Sequence, residues 1–211
     1  MDYKFIAIEG NIGAGKTSLA NMLAKDIDAS LLLEKFNDNP FLPKFYKEPD
    51  QYAFPLELSF LAERYNQIKP FLLKQGLIRP YTISDYYLYK SLIFAKANLK
   101  EDEYKLYRQL FDIIHEKFPK PDILIYLHLN IQNLLGNIQK RGRTYEQNIS
   151  GDYLLKIQNT YFSYFRANLP FPILMIDMNN IDFVSEENDY QWIKNLLKNN
   201  YSKGLHAILR K

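Results

Sequence analysis

Residues 10–17 read Gly10-Asn11-Ile12-Gly13-Ala14-Gly15-Lys16-Thr17, a full match to the spacing G-x-x-x-x-G-K-[ST]. The motif constrains the fold because it works only at a strand–loop–helix junction. Its flanks supply one: the apolar run Phe5-Ile6-Ala7-Ile8 before it and the helical pattern Ser18-Leu19-Ala20-Asn21-Met22-Leu23 after it. The glycines let the backbone curl so that its N–H groups converge on a polyphosphate. The helix start adds a partial positive charge. In that setting the backbone from Gly10 to Ser18 cradles phosphates, Lys16 reaches the outer ones, and the Thr17 hydroxyl holds Mg²⁺.

The rest of the chain alternates strand-like apolar runs with helical periodicity. Strands are expected near 5–8, 30–34, 81–85, 122–127 and 172–176. Helices are expected near 16–26, 54–73 (ended by Gly76), up to about 97, 98–117 (opened by a capping box at Asn98), after Asn130, 152–167 and 186–199. Asp38-Asn39-Pro40 reads as a further helix start, with Pro at the first helical position. This alternation predicts an α/β fold: a five-stranded parallel sheet with helices on both faces, forming a single domain over 1–211. The basic tail over 201–211 is expected to be loose. Ligands in such sheets sit beyond the carboxyl ends of the strands. Glu9, Glu34 and Asp85 each end a predicted strand on that rim. Glu9 reads equally well as a structural anchor for the loop.

Composition excludes several classes. With 211 residues, 47% of them hydrophobic, the chain can bury a sizeable core. A net charge of +3 is too small to argue for a nucleic-acid partner. There is no cysteine for thiolate or disulfide chemistry. No apolar run approaches the roughly 20 residues a membrane span needs, and no signal segment precedes the first strand. A cytoplasmic location is the expectation.

The guanine-reading string N-K-x-D and the switch string D-x-x-G are absent, so a GTPase is not expected. A kinase of a small molecule fits better. Such a kinase needs a phosphate cradle with Mg²⁺, a base for the acceptor hydroxyl, arginines for the charge on the transferred group, and a closing lid. Asp85 is placed to be the Mg²⁺ partner of Thr17. Arg141-Gly142-Arg143, flanked by Lys140, has the character of a lid over about 138–150. Its glycine lets the two guanidiniums swing onto phosphates.

These residues resemble the deoxynucleoside kinase family, over nearly the whole chain. The resemblance rests on four blocks in order. The first is Ile8-Glu9-Gly10-Asn11-Ile12 running into the phosphate motif. The second runs from Glu34 through Asn39-Pro40-Phe41 to Phe45-Tyr46-Lys47-Glu48-Pro49 and Tyr52-Ala53-Phe54. The third is Ser84-Asp85-Tyr86-Tyr87 with Ile93-Phe94-Ala95. The fourth is Arg141-Gly142-Arg143-Thr144-Tyr145-Glu146-Gln147-Asn148-Ile149 with Tyr153-Leu154. The resemblance implies an ATP- and Mg²⁺-dependent kinase of a P-loop fold, acting on the 5′-hydroxyl of a deoxynucleoside, and a homodimer. It implies Glu34 as the general base, with Lys16, Asp85 and the lid arginines Arg141 and Arg143 completing the catalytic set. It implies Tyr46 and Glu146 on the sugar 3′-hydroxyl and Arg64 on the base side. The aromatics Phe41, Phe45, Tyr52 and Phe94 are candidates for a base slot, Phe45 and Phe94 foremost.

The chain departs from the family pattern at four positions. The family's acid-Arg-Ser block carries Tyr86 where the arginine stands, and the spacing to Phe94 is one residue short. Glu57 replaces a base-recognising glutamine, Lys90 stands for a base-side aspartate, and Asn137 for a lid-helix arginine. Lys90 and Arg64 are the cations available to stand in for the missing arginine. An ionised Glu57 only accepts hydrogen bonds, which suits guanine's adjacent N–H groups better than adenine's bare N1. The alternative is that Glu57 simply pairs with Arg64 or Lys90. Two other functions compete: a nucleoside monophosphate kinase of thymidylate type, and a nucleotide-binding regulator that has lost its chemistry.

Overall fold

The apolar run after residue 4 forms β1 (Phe5–Gly10), and its side chains divide the core. Ile6 and Ile8 pack into one hydrophobic cluster while Ala7 packs into another, as strand alternation requires of a strand buried on both faces. The computed structural model describes residues 2–35, 39–73, 80–116, 118–167 and 169–210, with the backbone alone over 68–73. The remaining strands are β2 (Ser30–Leu32), β3 (Thr82–Ser84), β4 (Ile123–His128), β5 (Pro172–Asp177) and β6 (Gly204–Ile208). They form one sheet of order β2-β3-β1-β4-β5-β6. Every pairing is parallel.

The helices are α1 (Lys16–Asp26), α2 (Leu42–Phe45), α3 (Pro49–Leu73), α4 (Lys90–Asn98), α5 (Glu101–His115), α6 (Ile131–Arg141), α7 (Gly151–Phe165) and α8 (Glu187–Leu196). On one face Leu19 and Leu23 of α1, Leu134 and Ile138 of α6 and Ile193 of α8 cover the sheet. On the other, Ile93 and Ala97 of α4 and Ile157, Tyr161 and Phe165 of α7 do so. An outer layer packs Leu61 of α3 and Leu92 of α4 against Tyr107 and Phe111 of α5. Among the described residues no helix is long and apolar enough to cross a membrane.

Three local expectations change. The sheet has six strands, not five, because the expected loose tail contributes β6. There Gly204-Leu205-His206-Ala207-Ile208 alternates exposure along an edge strand, and Arg210 beyond it pairs with Asp189 and lies over Trp192. Asn98 does not cap α5. It ends α4, and the Lys100 N–H is satisfied instead by the Glu103 carboxylate at 3.0 Å. Pro40 precedes α2, whose first turn carries Pro43. The Asn39 side chain accepts from the Phe41 N–H at 3.0 Å, in a turn rather than a helix cap. Asp38 and Gly76 lie outside the described residues. Asn130 caps α6 as its sequence position suggests, accepting from the Asn133 N–H at 2.8 Å.

Candidate active site

The parallel arrangement brings the carboxyl ends of β1, β2 and β3 to one rim, and the cleft lies there. Its empty space, open solvent at the mouth included, is about 780 Å³. Lys16, Thr17, Glu34, Asp85, Arg141 and Glu146 all line it. The loop from β1 to α1 curls as its glycines allow. Gly13 has φ 84°, and a Cβ there would sit 2.8 Å from the Leu134 carbonyl. Ser18 is exposed in the first turn of α1. Asn11 ties the loop down, its Nδ2 donating to the Leu154 carbonyl at 2.8 Å. Asn137 donates to the Gly13 carbonyl at 2.9 Å, so the residue in place of a lid-helix arginine braces the loop.

The Thr17 hydroxyl donates to Asp85 Oδ2 at 2.6 Å. A hydroxyl beside a carboxylate is a hard oxygen pair of the kind Mg²⁺ takes when phosphates and water complete its shell, so these residues fit the ion. The other oxygen of Asp85 accepts the Glu34 N–H at 2.7 Å, coupling the acid at the end of β3 to the backbone after β2. Lys16 Nζ rests on the Asn11 carbonyl at 2.8 Å. Burial and the Lys90 ammonium pull its own ammonium down to about 8, against the nearby carboxylates. Glu9, the rim acid with two readings, is a buried anchor: it accepts the Tyr87 N–H at 2.7 Å and the Tyr161 hydroxyl at 2.8 Å.

Glu34 is the centre of the charge arrangement. Arg64 of α3 donates to its Oε1 through Nε at 2.9 Å and through a terminal nitrogen at 2.5 Å. Lys90 of α4 donates to Oε2 at 2.5 Å. Burial alone would raise the carboxyl, but Lys90 and Arg64 outweigh it and hold it at about 2. Arg64, expected on the base side, and Lys90, standing for a base-side aspartate, were also the two cations expected to stand in for the missing arginine, and both donate to Glu34. Arg64 is fixed further by donating to Ser91 at 2.6 Å and by lying over the Phe60 ring. Tyr86, standing where the family has arginine, is 1% exposed and turns its hydroxyl to Gln67 at 2.8 Å, in the outer packing layer.

The lid follows from local chemistry. Gly142 ends α6 at φ 74° with open space around it, so a left-handed turn separates the two flanking arginines. Both reach Glu146, which is 4% exposed: Arg143 at 3.3 Å and Arg141 in closer contact. Tyr46 lines the same cleft and stacks on Tyr145. Phe45 and Phe94 are on the cleft wall, as is Phe60, which the sequence reading did not single out; Phe41 and Tyr52 pack behind Phe45 instead.

Glu57 pairs with neither Arg64 nor Lys90. Its Oε1 accepts from Asn98 Nδ2 at 2.7 Å, and its Oε2 takes no hydrogen bond among the described residues. Burial pushes this carboxyl from 4.5 up to about 7. A raised acid in the folded state contributes stability that is fully present below about pH 4.5 and is lost as pH rises through about 7. Glu57→Gln is therefore expected to raise the melting temperature, relative to wild type, more at pH 8 than at pH 4.5. The difference has an upper limit of about 3 kcal/mol. Equal shifts in thermal denaturation at both pH values would contradict this.

A family model described as deoxynucleoside kinase matches residues 6–201. A deoxyguanosine kinase of Bacillus subtilis strain 168 is 36% identical over 196 residues, spanning 90% of this chain and 93% of that one. A deoxyadenosine/deoxycytidine kinase of the same organism is 30% identical over 190 residues, spanning 88% of each. Among solved structures, a deoxyadenosine kinase from M. mycoides with bound dATP superposes with a TM-score of 0.78 at 26% identity, covering 92% of this chain and 99% of that one. The same kinase with dCMP and dCDP superposes with a TM-score of 0.79 at 25% identity, covering 92% of this chain and 98% of that one.

Proposed function

Since the chain belongs to the deoxynucleoside kinase family, whose members are phosphotransferases, we propose that it transfers the γ-phosphoryl group of ATP to the 5′-hydroxyl of a deoxynucleoside, deoxyguanosine before the others. The observation that carries this reading is the cleft itself. A phosphate cradle, a hydroxyl–carboxylate pair fit for Mg²⁺, and a carboxylate gripped by two cations line one cavity under an arginine lid. Mg²⁺, when bound, neutralises charge on the phosphates and orients them. Glu34 then takes the proton of the acceptor hydroxyl, and Lys16, Arg141 and Arg143 stabilise the phosphoryl group in transit.

The deoxyguanosine preference rests on the open oxygen of Glu57, and a 36% identical relative is named for that activity. A thymidylate-type kinase would need cations for the acceptor's phosphate. Arg64 and Lys90, on the acceptor side, are committed to Glu34, which weighs against it. At pH 8, where Glu57 is ionised, catalytic efficiencies for the four deoxynucleosides and for deoxyguanosine monophosphate should rank deoxyguanosine first and the monophosphate last. A monophosphate ranked first would overturn the reading.

Glu146 and Tyr46 hold the sugar 3′-hydroxyl in this account. Glu146→Gln is expected to raise KM for the deoxynucleoside about tenfold, about the loss of one charged hydrogen bond. It should cause little further loss with a 2′,3′-dideoxynucleoside, which has no hydroxyl there; an equal loss with both substrates would contradict the assignment. We also infer a homodimer through α5, which exposes Leu106 at 50% and Ile113 at 70%. Light scattering that gives the mass of one chain would contradict that.

A further inference from the structure

We propose that Glu57 and Asn98 together read the nucleobase through a proton: Glu57 as a carboxylate takes guanine, and as a carboxylic acid takes adenine. This rests on the kinase reading only in taking a deoxynucleoside as the occupant of the cleft. Both residues line that cleft, beside Phe94 and Tyr153. Glu57 is 1% exposed, and a buried carboxylate oxygen with no partner is costly. Asn98 donates to Oε1 and so fixes the carboxyl, leaving Oε2 as the atom whose state is undecided.

The groups around Glu57 explain why neither form is imposed. From α3, Arg64 is engaged by Glu34 and Ser91. From α4, Lys90 is engaged by Glu34, and Glu34 itself stands on the loop after β2. From α5, the Tyr107 hydroxyl donates to the Glu57 backbone carbonyl at 3.3 Å, not to its carboxyl. From α7, Tyr153 lines the same cleft. Burial raises the carboxyl to about 7, with Arg64 and Lys90 pulling down and Glu34 pushing up, so both forms are populated near neutrality.

The two forms present opposite faces to a base. A carboxylate can only accept, which suits the N1–H of guanine and opposes the lone pair on adenine N1. A carboxylic acid has an O–H to give to that lone pair and a remaining oxygen that accepts an amino group. Asn98 acts as a positioning residue, since it touches Glu57 and its hydrogen bond favours the ionised form.

The test is calorimetric binding of deoxyguanosine and of deoxyadenosine to the full chain from pH 6 to pH 8. If one base selects each form, the ratio of the two association constants, deoxyguanosine over deoxyadenosine, rises about tenfold per pH unit. Ionisations that both nucleosides share cancel from that ratio. Glu57→Gln should make the ratio independent of pH. Asn98→Ala should lower the ratio at every pH while keeping its slope, because the carboxyl is then harder to ionise; a purely structural role would weaken both nucleosides alike. A flat ratio in the wild-type protein overturns the proposal even if Glu57→Gln fails to fold. A flat ratio with intact turnover sinks this inference alone. Failure to bind either nucleoside at any pH sinks it together with the kinase reading.

Discussion

Glu34→Gln is expected to lower deoxynucleoside phosphorylation by about 10²–10⁴-fold, the contribution of a positioned general base, while leaving ATP affinity nearly unchanged. The amide keeps the shape of the side chain but cannot take the proton of the 5′-hydroxyl. It also leaves Arg64 and Lys90 without their shared counter-charge, and both are buried. Removing one partner of a buried ion pair costs about 3–5 kcal/mol, so stability must be measured beside activity. Retained ATP binding shows that the cradle, which Glu34 does not build, is intact. Turnover within tenfold of wild type would remove Glu34 from the mechanism.

Lys90→Met is expected to bring an acid limb into the pH–rate profile, below which activity is lost. Burial would raise the Glu34 carboxyl, and Lys90 and Arg64 hold it at about 2, so it is ionised at any pH at which the enzyme would be assayed. Without Lys90 the raising effect of burial is opposed by Arg64 alone, and the carboxyl moves upward. Activity then falls as pH falls through the new value. Methionine keeps the unbranched stem that packs beneath the ammonium, so the change is chiefly one of charge. Lys90 also lies over the Phe94 ring on the cleft wall. Superimposable pH profiles for the two proteins would show that Lys90 does not tune the base. Tyr86, just past the end of β3, packs in the outer cluster and gives its hydroxyl to Gln67.

The glycine loop after β1 and the turn at Gly142 were legible in the sequence because each is local. The glycines at 13 and 142 have positive φ, and the helix starts and stops beside them are set by neighbours within a few residues. The Glu34 cluster was only half legible. Its carboxylate marks the end of a strand, but its partners lie 30 and 56 positions away, and only the packing of α3 and α4 against the rim brings them there. Nothing in the sequence alone joins Arg64 and Lys90 to that carboxylate. Asn98 misled for a related reason. Asparagine before a helix reads as a cap, yet its amide here is taken by Glu57 across to α3, a tertiary hydrogen bond that local propensity does not reveal. The last strand was hidden by its basic flanks: five residues with modest alternation carry a weak signal until an open sheet edge is there to receive them.

The account stands most directly on a single-turnover measurement. The protein is mixed with radiolabelled ATP, Mg²⁺ and deoxyguanosine, and the label is followed into product for the wild type and for Glu34→Gln. Label appearing in the 5′-monophosphate with the wild-type protein, and not with the variant, is the expected result. No transfer by a wild-type protein that still binds ATP would contradict the account and make the chain a nucleotide binder. Equal transfer by both proteins would leave the chain a kinase but place the general base elsewhere.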